Sequence, residues 1–185
     1  MDKTSLLVID MLNEYLQESG LVYCERCRKI IPAISRCIDF SRKNGILVTY
    51  SNTCLTNEQD VMVKKWGLHA IEGTRGAQVV SELAPKEGDL IVTKKGYDGF
   101  FNTSLHQELQ GRGIKTLVMT GIHTHVCVLL TAVGAYERGY NVIALEDCMS
   151  TSYLPNHENR IRFFKTHIGE LISSEDWMLA LGHEK

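Results

Sequence analysis

The sequence predicts an α/β fold: a three-layer α/β/α sandwich on a mostly parallel, doubly wound sheet. Three observations predict it. Short apolar runs suited to buried strands recur at 5–10 (SLLVID), 46–50 (ILVTY), 89–93 (DLIVT), 116–120 (TLVMT) and 141–145 (NVIAL). Stretches with helical spacing or capping signals lie between them, and alternation of strand and helix is the pattern of a parallel sheet covered on both faces. The 185 residues are 44% hydrophobic and 23% charged, an ordinary balance for one globular unit with a real core, so 1–185 reads as a single domain.

Each element has its own reason. The first strand, 5–10, is continuously apolar and ends in Asp10. Residues 12–21 read as a loop with Ser19-Gly20 as turn residues. Residues 22–43 carry Ile30, Ile31, Ile34, Cys37, Ile38 and Phe40 at mostly helical spacing. Pro32 interrupts this run, so the helix begins near Ile31 or has a distinct first segment, and Asn44-Gly45 closes it. Residues 51–88 are polar and irregular, with a short helix expected near 78–83; so long an excursion in a compact domain is usually functional. A helix is expected over 103–110, with Asn102 or Thr103 as cap and Gly111 and Gly113 beyond it. Gly121 breaks the fourth strand, Thr124 is an N-cap or the start of a loop, and 126–135 is an apolar helix. The chain closes with a helix at 156–166 after Pro155, a short strand at 169–173, and a helix at 174–181 with Ser174 as N-cap.

Several function classes are excluded. A net charge of −2 with no basic run argues against nucleic acid or anionic membrane as partner. No apolar run reaches the ~18–20 residues that span a bilayer. The opening MDKTSLLVIDML reads as a core strand rather than a signal peptide, which predicts a cytoplasmic protein. The turn after the first strand, Asp10 to Glu14, has no glycine, which excludes a dinucleotide loop and a P-loop. The six cysteines are expected to be free thiols. Cys24 and Cys27 form a CxxC, but no second pair of zinc ligands follows. They read as two small residues on a helix face, with a disulfide as the alternative in a thermophile.

Three reactive groups fall at carboxyl ends of strands: Asp10, Lys94 and Cys127. Open α/β sheets bind ligands at that edge, where strand ends converge. Asp10 would take the thiol proton of Cys127 and return it to a leaving amine. Lys94 would hold Asp10, lower the thiol pKa and stabilise negative charge, and a helix N-terminus would favour a Cys127 thiolate. Backbone N–H groups near Cys127 would form an oxyanion hole. Taken singly each has a bland reading: a helix cap, a solvated lysine, a core cysteine.

Four stretches carry a resemblance that spans nearly the whole chain: LLVIDMLNEY (6–15), WGLHAIEGTRGA (66–77), VTKKGYDGFFNTSL (92–105) and TGIHTHVCVLLTAVGAYERGYNVIALEDCMS (120–150). The chain resembles the isochorismatase-like cysteine hydrolases, which include nicotinamidases and N-carbamoylsarcosine amidase, with a Rossmann-like topology. The resemblance implies a catalytic Asp10, Lys94 and Cys127, with Lys95 the competing lysine and the spacing to Tyr97 and Phe100 favouring Lys94. It implies a cis peptide at Ile122–His123, which would aim the His123 N–H at the same oxyanion as that of Cys127. It implies Tyr15 and Trp66 sandwiching a flat substrate, with His69, Tyr97 and Phe100 also at the substrate and His123 and His125 as pocket candidates. The reaction implied is C–N hydrolysis of a small carboxamide or ureido compound through a thioester. A silent or thiol-redox protein on the same fold is the alternative. Departures are Leu12, where a glutamine is frequent, and Asp98, where a small serine is frequent. The nicotinamidase metal ligands fall on Asn52, Cys54 and His69, of which only one is customary, so no cofactor is expected and a divalent metal there is the lesser alternative. Asn52 and His69 would then line the pocket as neutral groups. The resemblance also implies a dimer or tetramer.

Overall fold

In the computed structural model, which describes residues 3–182, six strands form one all-parallel sheet in the order β3-β2-β1-β4-β5-β6. The chain runs β1 (Lys3–Ile9), α1 (Asn13–Leu16), a 3₁₀ segment (Glu25–Ile30), α2 (Ile31–Lys43), β2 (Leu47–Thr53), α3 (Val61–Trp66), a 3₁₀ turn (Ser81–Leu83) and β3 (Leu90–Lys94). It continues through α4 (Leu105–Gly111), β4 (Ile114–Ile122), a π-helical turn (Thr124–Val128), α5 (Leu129–Glu137), β5 (Asn141–Ser150), α6 (Leu154–His167), β6 (Glu170–Ile172) and α7 (Ser174–Gly182). Strand order reverses between β1 and β4, and this switch point places their carboxyl ends beside a crevice.

β1 explains why the central runs are continuously apolar. Successive side chains point to opposite faces. Leu6 and Val8 join the core under α2 and α7, while Leu7 and Ile9 join the core under α4, α5 and α6. All four are fully buried, as a strand covered on both faces requires.

Several boundaries differ from expectation. The 12–21 loop contains the single turn of α1. In 22–43, by contrast, the break expected at Pro32 is present: a 3₁₀ segment precedes α2, which begins at Ile31 with Pro32 in its first turn, where the missing N–H costs nothing. Cys24, just ahead of the 3₁₀ segment, and Cys27, within it, are not free thiols but are joined by a disulfide, the alternative to the expected reading, while Cys37, Cys54, Cys127 and Cys148 are free. β2 and β5 both run past their apolar parts, to Thr53 and Ser150. In both cases small polar residues are buried at the strand end rather than released to solvent.

At α7 the cap is Ser173 rather than Ser174: the Asp176 N–H donates to Ser173 Oγ at 3.0 Å, and Ser173 Oγ donates back to Asp176 Oδ2 at 2.7 Å. Asp147 of β5 adds a second anchor, accepting from the Ser174 N–H at 2.7 Å and from Ser174 Oγ at 2.5 Å. Replacing Asp147 by alanine removes both acceptors at a helix N-terminus. It is expected to lower the unfolding free energy by about 1 kcal/mol, read as a shift in the urea midpoint at unchanged m-value.

Candidate active site

The strand ends bring Asp10, Lys94 and Cys127 together. Asp10 follows β1 with φ 54°, a left-handed conformation that aspartate tolerates better than most residues. Its N–H donates to the Ser51 carbonyl at 3.2 Å. Lys94 ends β3, which is not adjacent to β1, so its side chain crosses over the end of β2. Its ammonium donates to Asp10 Oδ2 at 2.7 Å, to Thr53 Oγ1 at 2.8 Å and to the Gly96 carbonyl at 3.1 Å, and lies 3.7 Å from Cys127 Sγ. The other carboxylate oxygen of Asp10 accepts from the Thr53 N–H at 2.6 Å. Lys94 is 1% exposed and Asp10 2%, so this ion pair is held without water. Lys95, by contrast, is a surface residue that pairs with Asp60 at 3.4 Å.

The charge balance follows from burial. Burial alone would lower the Lys94 pKa, but the negative charge of Asp10 and the proximity of Cys127 outweigh it and hold the ammonium above its ordinary value. Burial pushes the Cys127 thiol well up; Lys94 pulls it down, Asp10 raises it again, and the rise wins. The resting group is therefore a thiol, not the thiolate that the helix N-terminus suggested. Cys127 lies in the wide turn ahead of α5, where burial outweighs any help from the dipole. The Lys94 ammonium bridges the Asp10 carboxylate and the Cys127 sulfur, which brings acid and thiol to one point.

Gly121 brings the remaining wall into place. Its φ is 112°, and a Cβ there would collide with the Ile9 carbonyl, so only glycine lets the end of β4 close on the end of β1. The peptide that follows, Ile122–His123, is cis. Thr124 does not cap the next helix; its hydroxyl lies 3.0 Å from His157 Nδ1.

A cavity of about 280 Å³ opens over the cluster, lined by Asp10, Tyr15, Trp66, His69, His123 and Cys127, with Tyr97, Val22, Tyr23, Cys24, Met62, Ile122, His125, Val126 and Ser152 completing it. Tyr15 is buried, and burial together with Asp10 and Cys127 raises its pKa well above the usual phenol value, so it is a neutral phenol. Trp66 donates through Nε1 to the Tyr97 hydroxyl at 2.8 Å. His69 Nδ1 donates to the Gly67 carbonyl at 2.7 Å, which fixes the orientation of the ring. Burial, then His125, lowers His123 to about 4, so it is neutral at ordinary pH.

Three sequence-based expectations fall elsewhere. Phe100 does not line the cavity; it stacks on Tyr140 and lies under the Arg138 guanidinium, in the core beneath α4 and α5. Asp98 faces Gly134 of α5 and accepts from the Phe100 N–H, so it sets no charge in the cavity. Asn52 and Cys54 do not line the cavity either. Of the nicotinamidase-like metal positions Asn52, Cys54 and His69, only His69 keeps a customary ligand. Asn52 offers only an unpartnered amide oxygen, and burial followed by Glu72 raises the Cys54 thiol. Among the described residues, no third Cys, His, Asp or Glu joins Cys54 and His69.

Thr53 was missed, because the polar end of β2 read as loop. The signal was register: Thr53 pairs with Lys94 across β2 and β3, so a strand prolonged by three residues puts it beside the ammonium. Glu14 was missed as well. Its carboxylate accepts from the Leu21 N–H at 2.7 Å and the Ala70 N–H at 3.2 Å, tying together two loops beside the cavity. A Thr53→Val change keeps the backbone donor to Asp10 and removes one Lys94 partner. We expect a fall in kcat of about tenfold, on the scale of one charge-assisted hydrogen bond, with KM little changed in steady-state assays.

Known proteins share this arrangement of strands. The Isochorismatase domain family matches residues 4–176. The ureidoacrylate amidohydrolase RutB of Agrobacterium fabrum is 32% identical over 170 residues, covering 78% of this chain and 75% of that protein. Among solved structures, an isochorismatase-like hydrolase from Alkaliphilus metalliredigens superposes with a TM-score of 0.92 at 30% identity, over 97% of this chain and 99% of that one. The N-carbamoylsarcosine amidase of Thermoplasma acidophilum gives 0.85 at 30% identity, over 93% and 96%. The fold, the match along nearly the whole chain and these identities place the protein in the isochorismatase family, as an isochorismatase-like hydrolase.

Proposed function

We propose that the protein is a cysteine amidohydrolase that cleaves the C–N bond of a small, neutral carboxamide or ureido compound. The buried cluster of Asp10, Lys94 and Cys127 carries this reading. Because the thiol is protonated at rest, attack and proton transfer are coupled: Asp10 takes the proton as Sγ bonds to the carbonyl carbon. The charge that develops on the carbonyl oxygen is met by the N–H groups of His123 and Cys127. Collapse breaks the C–N bond, and Asp10 hands its proton to the departing nitrogen. Water, deprotonated by Asp10, then attacks the thioester, releasing the acid and restoring the thiol. Lys94 stays charged throughout and keeps Asp10 oriented.

The cavity supports a flat, uncharged substrate. Tyr15 and Trp66 offer aromatic faces, and the lining residues described include no lysine or arginine to hold a carboxylate. The relatives named as a ureidoacrylate amidohydrolase and an N-carbamoylsarcosine amidase support C–N hydrolysis as the reaction class. A homo-oligomer in the cytoplasm belongs to the same proposal; among the described residues, no helix is long and apolar enough to cross a membrane.

An ammonia-release screen tests the reading. It should cover nicotinamide, pyrazinamide, N-carbamoyl amino acids and ureido compounds. The neutral aromatic carboxamides are expected to exceed the carboxylate-bearing N-carbamoyl compounds in kcat/KM. Release from none of them, together with no labelling of Cys127 by iodoacetamide, would overturn it in favour of a silent protein.

A further inference from the structure

One cluster of ligating side chains has no part in the chemistry above. Cys24, Cys27 and His123 present Sγ, Sγ and a ring nitrogen that all lie within 4.8 Å of one another. Cys27 Sγ is 3.8 Å from His123 Nδ1, so that nitrogen faces the sulfurs. Tetrahedral zinc, with Zn–S about 2.3 Å and Zn–N about 2.0 Å, sets S···N at about 3.5 Å and S···S at about 3.8 Å. The Cys27–His123 separation is therefore already within a few tenths of an ångström of that distance. The CxxC spacing is the usual chelating one, and here it is folded into a tight turn in which the Cys27 N–H donates to the Cys24 carbonyl at 3.0 Å. A second anchor, the Cys24 N–H to the Tyr15 carbonyl at 2.8 Å, fixes the turn against α1.

We propose that Cys24 and Cys27 in their reduced form, with His123, bind a thiophilic divalent cation of the zinc class, its fourth position facing the cavity above Cys127. Cys24 and His123 both line that cavity, so a water or a heteroatom of a bound molecule completes the tetrahedron. Two thiolates and a neutral imidazole balance the charge of a dication, which suits a partly apolar wall. The disulfide between the cysteines is the metal-free, oxidised alternative. A phosphine reductant converts it to two thiols, itself becoming the phosphine oxide with oxygen from water. The cation then displaces two protons to the solvent as the two S–metal bonds form. The proposal does not depend on the role given to Cys127.

Cobalt titration of the full chain tests it without any activity assay. Phosphine-reduced, metal-free protein is expected to bind one equivalent of Co²⁺ with thiolate-to-metal charge transfer in the near ultraviolet and the intense visible bands of tetrahedral cobalt. Zn²⁺ should abolish both. Cys27→Ser should weaken the charge-transfer band about twofold, the Cys24→Ser/Cys27→Ser pair should remove it, and the oxidised protein should never develop it. His123→Gln should shift the visible bands while leaving both sulfur bonds. If that variant does not fold, the two serine variants decide. Cys127→Ala is expected to leave the spectrum unchanged, which separates this site from the proposed nucleophile. Reduced protein that binds no cobalt, a band that survives in the double serine variant, or one that vanishes in Cys127→Ala would each overturn the proposal.

Discussion

Replacing Cys127 by alanine should cut turnover of the best carboxamide by on the order of 10⁵-fold, the scale on which losing a nucleophile acts, with unfolding stability little changed. Asp10→Asn should cost on the order of 10³-fold, as expected when a positioned general base is lost. The second variant is the sharper test. The resting thiol is neutral chiefly because it is buried, so proton removal belongs to the attack itself. Alkylation of Cys127 by iodoacetamide should then be stoichiometric in the wild type and markedly slower in Asp10→Asn at neutral pH. Equal rates in the two proteins would remove Asp10 from the role of base. A thiolate stabilised by the helix dipole alone would behave in that equal-rate way.

Lys94→Met should lower the unfolding free energy by about 3–5 kcal/mol, because it strands the Asp10 carboxylate in a dry site. The ammonium supplies one of the hydrogen bonds to that carboxylate; the Thr53 N–H supplies another and remains. In the Asp10→Asn/Lys94→Met double variant both charges are gone and the left-handed backbone is still tolerated, so the cost should shrink to a fraction of the single variant's, read from urea midpoints at constant m-value. Both proteins should be inactive in ammonia release. If the double variant is as unstable as the single one, the ion pair is not what the site's stability depends on. These energies exceed what surface pairs such as Lys95 with Asp60 contribute, because water screens the latter.

The strands that carry the chemistry were legible because they are covered on both faces. Leu6, Leu7, Val8 and Ile9 are apolar without interruption, and so are the central residues of β4, which made both strands visible before any geometry. Asp10 and Lys94 stood out as charges at the ends of such runs. Thr53 did not, since Ser51-Asn52-Thr53 reads as surface unless the partner across β3 is known. Phe100 shows the converse error. It follows Lys94 by six positions, but the chain turns through Gly96 and Gly99 toward α5, and the Gly99 N–H is fastened to Thr131 Oγ1 at 2.9 Å. Sequence proximity to a reactive residue says nothing about which face of the sheet the next side chain enters. The state of Cys127 was misjudged for a different reason: a helix N-terminus is visible in a sequence, whereas depth of burial is a property of everything packed around it.

The reacting groups and the cavity walls come from different kinds of backbone. Asp10 and Lys94 stand at the ends of β1 and β3, and the end of β4 leads directly into the turn that carries Cys127, whereas Met62, Trp66 and His69 arrive on the segment between β2 and β3. That segment is fastened to the chain after β1 at several points: the Ala70 N–H donates to Glu14, the Asn13 and Glu14 N–H groups donate to the Gln78 and Gly76 carbonyls, and the Val80 N–H donates to the Met11 carbonyl. Selectivity is in this sense modular. A library confined to Met62, Trp66 and His69 leaves these anchors in place, so that it explores new substrates over an unaltered catalytic floor.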